Sequence, residues 1–293
     1  MSNLFPPALL HSAFYRFVPL VDPVGMADTL RALAQGLHGS IVVANEGING
    51  TLAGAWHAVA AFETGLQQPG VLGGALRGMA FKHSACTIEP FGRLKVSVKP
   101  EIVALGLPGE PGGLAGPDSS NGASLPSPDE DDASHLPPLA WRALLARSDV
   151  VLLDNRNHFE YRLGHFRGAI DPKVHNFRDF VAYVEDQASA WRAAGRPVAM
   201  YCTGGIRCDK TAPWLRSLGL EVWQLDGGIL NYFQQLDDAN RDWQGECFVF
   251  DKRIALDSNL RPTATRAEQV FDAAHADEAW RLQRARRLEN PAR

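Results

Sequence analysis

A chain of 293 residues, 45% hydrophobic and 21% charged, has ordinary globular composition and the length for two cores, which excludes a fibrous or wholly disordered protein. Its 29 basic and 33 acidic residues leave a net charge of −4, which argues against blanket nucleic-acid binding but allows a local basic patch. No apolar run approaches the ~20 residues of a membrane span, and no basic stretch followed by an apolar signal core opens the sequence, so a soluble, cytoplasmic protein with no membrane attachment is expected.

The first third alternates strand and helix patterns. Residues 13–20 read as a strand and 22–37 as an amphipathic helix with Met26, Leu30, Leu33 and Leu37 on one face. Residues 40–44 form the next strand, 45–50 have the chemistry of a tight connection, and 51–53 return as a strand. A helix follows over 56–66, then strands around 79–88 and 94–98. The order βαββαβ predicts a ferredoxin-like α+β sandwich, helices on one face of an antiparallel sheet. In the last strand Leu94, Val96 and Val98 alternate with Arg93, Lys95, Ser97 and Lys99, so one face is basic. Lys82 and His83 are expected to extend that patch, with Phe81 and Phe91 as base-stacking surfaces; a merely solvated sheet face is the competing reading.

Between Pro100 and Trp141 there is no Lys or Arg, while Pro, Gly, Ser and the run Asp129-Glu-Asp-Asp132 accumulate. Such composition buries too little apolar surface to offset ordering entropy, so 107–136 reads as a largely disordered linker. Beyond it come an entry helix over 138–146, a strand at Val150, a helix over 177–191, a buried strand over 197–201 and a helix over 209–218. That alternation is the mark of a parallel α/β sheet, whose ligand loops lie at the carboxyl ends of its strands.

One such loop is Cys202-Thr203-Gly204-Gly205-Ile206-Arg207-Cys208. The glycines let successive amides turn inward, and the following helix adds its positive dipole end, so an anion is favoured there. If that anion is the Cys202 thiolate, its pKa falls and Cys202 becomes the nucleophile, with Arg207 as its charge partner. The spacing Cys-x4-Arg closes a smaller ring than the Cys-x5-Arg of phosphoester hydrolysis, better matched to a sulfur atom on the cysteine. Cys208 reads either as packing or weak capping at the helix start or as a resolving thiol. The four cysteines, with Cys86 and Cys247, are too scattered for a disulfide scaffold and lack metal-ligand spacing, so no metal is expected. The tail from Trp243 begins as an extended segment and turns helical beyond Pro262, ending in Arg281, Arg284, Arg286 and Arg287, which read as a solvated helix end or, alternatively, as an RNA contact.

The motif Cys202-Thr-Gly-Gly-Ile-Arg207 resembles the persulfide-bearing loop of the rhodanese family. Val150-Val-Leu-Leu-Asp154, Gly164-His165-Phe-Arg-Gly168-Ala-Ile170 and Asp226-Gly227-Gly228 resemble its strand, turn and closing element. Asn155 stands where rhodaneses more usually carry a small apolar residue. Together with Asn45-Glu-Gly-Ile-Asn-Gly-Thr51, residues 91–106, Tyr201-Cys-Thr-Gly-Gly-Ile-Arg-Cys208 and Phe248-Val-Phe-Asp-Lys-Arg253, nearly the whole chain resembles the bacterial tRNA uridine hydroxylases that carry a rhodanese domain.

The resemblance implies an α/β protein with a ferredoxin-like (acylphosphatase-like) domain over 1–106 as RNA platform, a linker over 107–137, a rhodanese domain over 138–242 and an extension over 243–293. It also implies oxygen-dependent 5-hydroxylation of uridine 34 in the anticodon loop of tRNA, with Cys202 as the active cysteine and molecular oxygen as co-substrate. No other cofactor is identifiable and no protein partner is predictable. The acidic linker is longer than the family's, and the tail lacks the additional cysteines of some members. The residues alone leave three readings open: a tRNA hydroxylase, a sulfurtransferase drawing on thiosulfate or another persulfide donor, and a non-catalytic RNA-binding scaffold. The basic sheet face favours the first over the second, and the intact reactive loop disfavours the third.

Overall fold

The computed structural model describes residues 9–107 and 134–289, which divide into two compact units at Ala104/Leu105. Most of the expected linker, 108–133, lies outside the described residues.

In the first unit the order is β1 (Leu9–Phe17), α1 (Pro23–Leu33), β2 (His38–Ala44), β3 (Gly47–Gly54), α2 (Trp56–Leu66), β4 (Lys82–Cys86) and β5 (Leu94–Val98). The predicted sandwich forms with one strand more than βαββαβ. The sheet runs β4-β1-β3-β2-β5, and β5 joins β2 in parallel, so the sheet is mixed rather than wholly antiparallel. β1 starts four residues earlier than its apolar pattern suggests because Leu9 to Ala13 pair with β4, and from Leu10 onward the strand pairs with β3 as well. β3 likewise begins at Gly47, inside the expected connection, because Ile48 pairs with Val43 and enters the core. α1 is capped by the Asp22 carboxylate on the Gly25 amide (2.9 Å) and ends at Leu33, short of the expected 37. Met26, Leu30, Val59, Phe62 and Leu66 from the two helices meet Phe14, Ile41, Val43, Ile48 and Leu52 from the sheet.

The second unit continues with β6 (His135–Leu136), α3 (Pro138–Leu145), β7 (Val151–Asp154), α4 (His158–Leu163), β8 (Gly164–Phe166), α5 (Phe180–Ala193), β9 (Val198–Tyr201), α6 (Ile206–Ser217), β10 (Val222–Leu225) and α7 (Gly228–Gln235). β6, β10, β9 and β7 form a parallel sheet in that order, and all four residues of β9 are buried, as a central strand covered on both faces requires. The linker expected to reach Leu136 therefore stops sooner. His135 and Leu136 form an edge strand, and the Ser134 carbonyl accepts from the Gln224 amide (2.9 Å).

The tail carries β11 (Trp243–Gly245), β12 (Cys247–Phe248), β13 (Ala255–Leu256), α8 (Ala267–Val270) and α9 (Ala276–Glu289). β11 pairs with β8 and buries Trp243 in the same core as β9, while β12 and β13 pair with each other. Among the described residues no helix is long and apolar enough to cross a membrane.

Under β9 the fully buried Phe166 ring meets Tyr201, Tyr232 and Trp243 edge-on, with centroids 4.8, 4.9 and 5.1 Å away. This cluster supports the strand that delivers Cys202. Phe166→Ala should cost ~3–5 kcal/mol of stability in chemical denaturation followed by tryptophan fluorescence. A loss below ~1 kcal/mol would show that the ring is not a support of β9.

Candidate active site at the Cys202 loop

Cys202 is the first residue beyond β9, and its side chain is fully buried. The chain then reverses into α6, which starts at Ile206, three residues earlier than its apolar spacing suggests, so that Arg207 and Cys208 lie in the first helical turn. Gly205 caps the helix at φ 100°, a left-handed conformation that favours glycine, and its amide donates to Cys202 Sγ at 3.1 Å. Gly204 keeps no such angle, and the space around it is open.

The wall behind the loop is the Asp226-Gly-Gly228 segment. Gly228 has φ 71°, and a Cβ there would lie 2.5 Å from the Cys202 carbonyl oxygen and 2.8 Å from the Gly205 nitrogen. From the same helix start, the Ile229 and Leu230 amides donate to the carbonyls of Cys202 (3.0 Å) and Thr203 (3.2 Å). The loop thus spans two helix N-termini: one set of amides holds its carbonyls, and the other faces its sulfur.

Burial opposes ionisation of Cys202, but the Cys208 thiol, the Arg207 guanidinium and the amides of Cys208 and Arg207 favour the anion and prevail, bringing the pKa down to about 5. The sulfur is a thiolate at neutral pH. Cys208 moves the other way, because burial and the adjacent Cys202 sulfur hold its thiol protonated. Cys208 therefore serves as a hydrogen-bond donor to the thiolate rather than as a helix cap. Asn155, the departure noted in the sequence, donates to Thr211 Oγ1 at 2.8 Å and to Cys208 Sγ at 3.7 Å.

Arg207 is not a free cation. Its guanidinium donates to both carboxylate oxygens of Glu160, at 2.8 and 2.7 Å, and to Thr203 Oγ1 at 3.4 Å. Glu160 is fully buried; burial resists its ionisation, but Arg207 overcomes this and holds its pKa below the usual carboxylate range. The charge of Arg207 is shared between Glu160 and Cys202, so an incoming anion meets it already partly neutralised. Sequence reasoning missed Glu160. Its signal was the Asn157-x-x-Glu160 spacing of a capping box, realised here as the Asn157 amide donating to Glu160 Oε2 at 3.2 Å. Behind it, Arg156 forks onto Asp154 (2.8 and 2.6 Å), and the Tyr201 hydroxyl donates to the same carboxylate (2.6 Å). These fully buried groups fix the ends of β7 and β9.

The basic residues expected on the first unit are not all brought together. β4 and β5 are opposite edges of the sheet, four strand spacings apart, or roughly 19 Å. By register Lys82 and Lys95 share the open face, but Lys82 sits over the Tyr15 ring (5.3 Å) at the far edge. His83 points to the helix face and pairs with Glu63 at 2.7 Å, and Phe81 packs against the core, so neither extends the patch. Phe91 stacks on His11 at 5.9 Å. Arg93, Lys95 and Lys99 remain together and exposed along the β5 edge.

Two family models match the chain: a UPF0176 acylphosphatase-like domain over residues 10–102 and a rhodanese-like domain over 139–235. Curated relatives named tRNA uridine(34) hydroxylase align over most of both chains. The protein of Synechococcus elongatus is 44% identical over 251 residues, covering 85% of each chain. That of Bradyrhizobium diazoefficiens is 40% identical over 253 residues, covering 85% of this chain and 92% of the relative. That of Deinococcus radiodurans is 38% identical over 253 residues, covering 85% and 76%.

Thiolate absorbance near 240 nm should titrate with a midpoint near pH 5, anion above and thiol below, and this step should vanish in Cys202→Ser. Cys208→Ala removes a donor to the anion and should move the midpoint up. An unchanged midpoint in that variant would show that the amides and Arg207 alone set it.

Proposed function

Because the chain belongs to the tRNA uridine(34) hydroxylase family, we propose that it hydroxylates C5 of the wobble uridine of tRNA, with molecular oxygen as oxidant and Cys202 as nucleophile. The observation that carries this reading is the seat of Cys202 Sγ in a cradle of helix-start amides, with the Gly205 amide donating to it at 3.1 Å, an arrangement that favours the thiolate.

The thiolate adds to C6 of the uracil, and the electron pair moves to C5 as an enolate delocalised onto O4. C5 takes up oxygen and a proton to give a hydroperoxide. A thiol donor reduces it: two thiols become one disulfide, one oxygen leaves as water, and the other stays as the C5 hydroxyl. Loss of the C5 proton and departure of the thiolate from C6 restore the ring and the enzyme. The net reaction is uridine, oxygen and two thiols to 5-hydroxyuridine, water and a disulfide. Cys202 is buried, so it reaches the uracil only if the loop opens; that burial is the observation favouring the second, sulfur-carrying reading, in which a persulfide would extend the sulfur outward by ~2 Å.

The RNA contact is assigned to the anticodon loop, with Arg93, Lys95 and Lys99 on the β5 edge as phosphate ligands and Lys82 outside that edge. A tRNA substrate places the work in the cytoplasm.

Nucleoside mass spectrometry of tRNA from cells carrying, lacking, or carrying Cys202→Ser copies of the gene should show 5-hydroxyuridine derivatives only with the native protein. Full modification in the Cys202→Ser cells would end the nucleophile assignment. Full modification without the gene, with sulfur transfer by the purified protein, would leave the sulfurtransferase. Reversing Lys95 and Lys99 to Glu should weaken tRNA binding and flatten its salt dependence by roughly one charge for each phosphate no longer held, with the Cys202 titration unchanged. Unaltered binding would remove the β5 edge from the RNA interface.

A further inference from the structure

Beside the Cys202 loop a cleft opens between the 248–254 turn and α9, floored by Phe159, Phe248 and Phe271. Two aromatic side chains on its walls are turned outward: Phe250 is 60% exposed and Trp280 is 45% exposed. With the apolar floor beneath them they form a contiguous exposed patch, and such a patch with a polar rim is the kind of surface that marks a binding groove. The Phe250 ring centre lies 6.0 Å from the Arg207 guanidinium carbon, so the cleft adjoins the reactive loop.

The rim is cationic. Lys252, Arg281 and Arg284 line it, and Trp280 and Arg284, four residues apart on α9, lie on one helix face. Arg281 is occupied: it donates to the His175 carbonyl (3.0 Å) and Asn176 Oδ1 (3.1 Å) and covers one side of Trp280, 4.5 Å from the ring centre. Lys252 and Arg284 have no carboxylate partner among the described residues. The one acid in the lining, Asp251, is spent on Arg253, which forks onto it at 2.9 and 2.6 Å. The cleft therefore presents aromatic planes beneath uncompensated positive charge, a combination that suits an unstacked base with its phosphate and suits neither a duplex nor an acidic peptide's carboxylates alone.

We propose that this cleft binds an unpaired nucleotide of the tRNA anticodon loop, its base stacked on Phe250 or Trp280 and its phosphate on Lys252 and Arg284. The proposal rests on the tRNA reading and adds to it a second RNA contact, placed at the loop's own side rather than on the first unit's sheet. The basic end of the tail, ambiguous in the sequence, thereby gains a role for Arg284, while Arg286 pairs with Glu268 (2.8 Å).

The test uses the full chain and a fluorescein-labelled anticodon stem-loop RNA with uridine at position 34. Phe250→Ala and Trp280→Ala should each weaken binding about 5- to 150-fold, and Trp280→Phe should restore much of it. Arg284→Gln should flatten the plot of log affinity against log salt by about 0.7. Single 4-thiouridines placed in turn at each loop position should yield a photo-crosslink to the 248–254 turn or to α9 from at least one position. Retention of the Cys202 absorbance step verifies the fold of each variant. If the native chain binds the stem-loop and hydroxylates tRNA while both alanine variants bind as tightly as it does, or no loop position crosslinks to the cleft, this inference fails and the hydroxylase reading stands. If the native chain hydroxylates tRNA but does not bind the stem-loop, this inference alone fails; if it does neither, both fall.

Discussion

A buried sulfur anion is the constraint to which the second unit answers. Taking a thiolate out of water is costly, and here the cost is offset by three kinds of donor converging on one atom, the Gly205 amide, the first-turn amides of α6 and the Cys208 thiol, and by the positive charge of the nearby Arg207 guanidinium. Each depends on something else. The amides depend on the left-handed Gly205, the Cys208 thiol on its place in the first turn beside Asn155, and Arg207 on the carboxylate of Glu160. Removing Glu160 would strand a buried cation, so a residue that never touches the sulfur holds part of its environment in place.

The same dependence explains why the loop is clamped from behind. A flexible loop would let water replace the amides, and the depressed pKa would drift back toward that of a free thiol. Gly228 prevents this by permitting an approach too close for any Cβ, so that α7 and α6 present their N-termini to the two sides of one short loop. The aromatic cluster around Phe166 and the buried Asp154–Arg156–Tyr201 network then hold β9 and β7 at fixed height beneath it. The rigid strands below and the sulfur-holding loop above are parts of one arrangement.

The tail belongs to this arrangement rather than following it. β11 extends β8, Trp243 enters the core, and the Phe250 ring lies against Arg207. Between them α9 and the 248–254 turn build an aromatic and basic wall beside Arg207.

Local pattern was enough for the reactive loop, because a buried apolar run ending on Cys202, two glycines and Arg207 within six residues is a chain-local statement about backbone curl and charge. It was enough, too, for the βαββα order of the first unit and for the parallel sheet of the second, since hydrophobic period distinguishes strand from helix without knowledge of partners. It could not place β5. Alternation along 94–98 identifies two faces but not which neighbour the strand pairs with, so Lys82 and Lys95 read as one patch while the sheet puts β1, β3 and β2 between them. Nor could it find Glu160 as the partner of Arg207, 47 residues away, because an ion pair across that separation exists only after α4 and α6 have been brought to the same end of the sheet. The sequence carried the chemistry of each residue; which charges face each other, and which are already paired, was decided by strand order and helix packing.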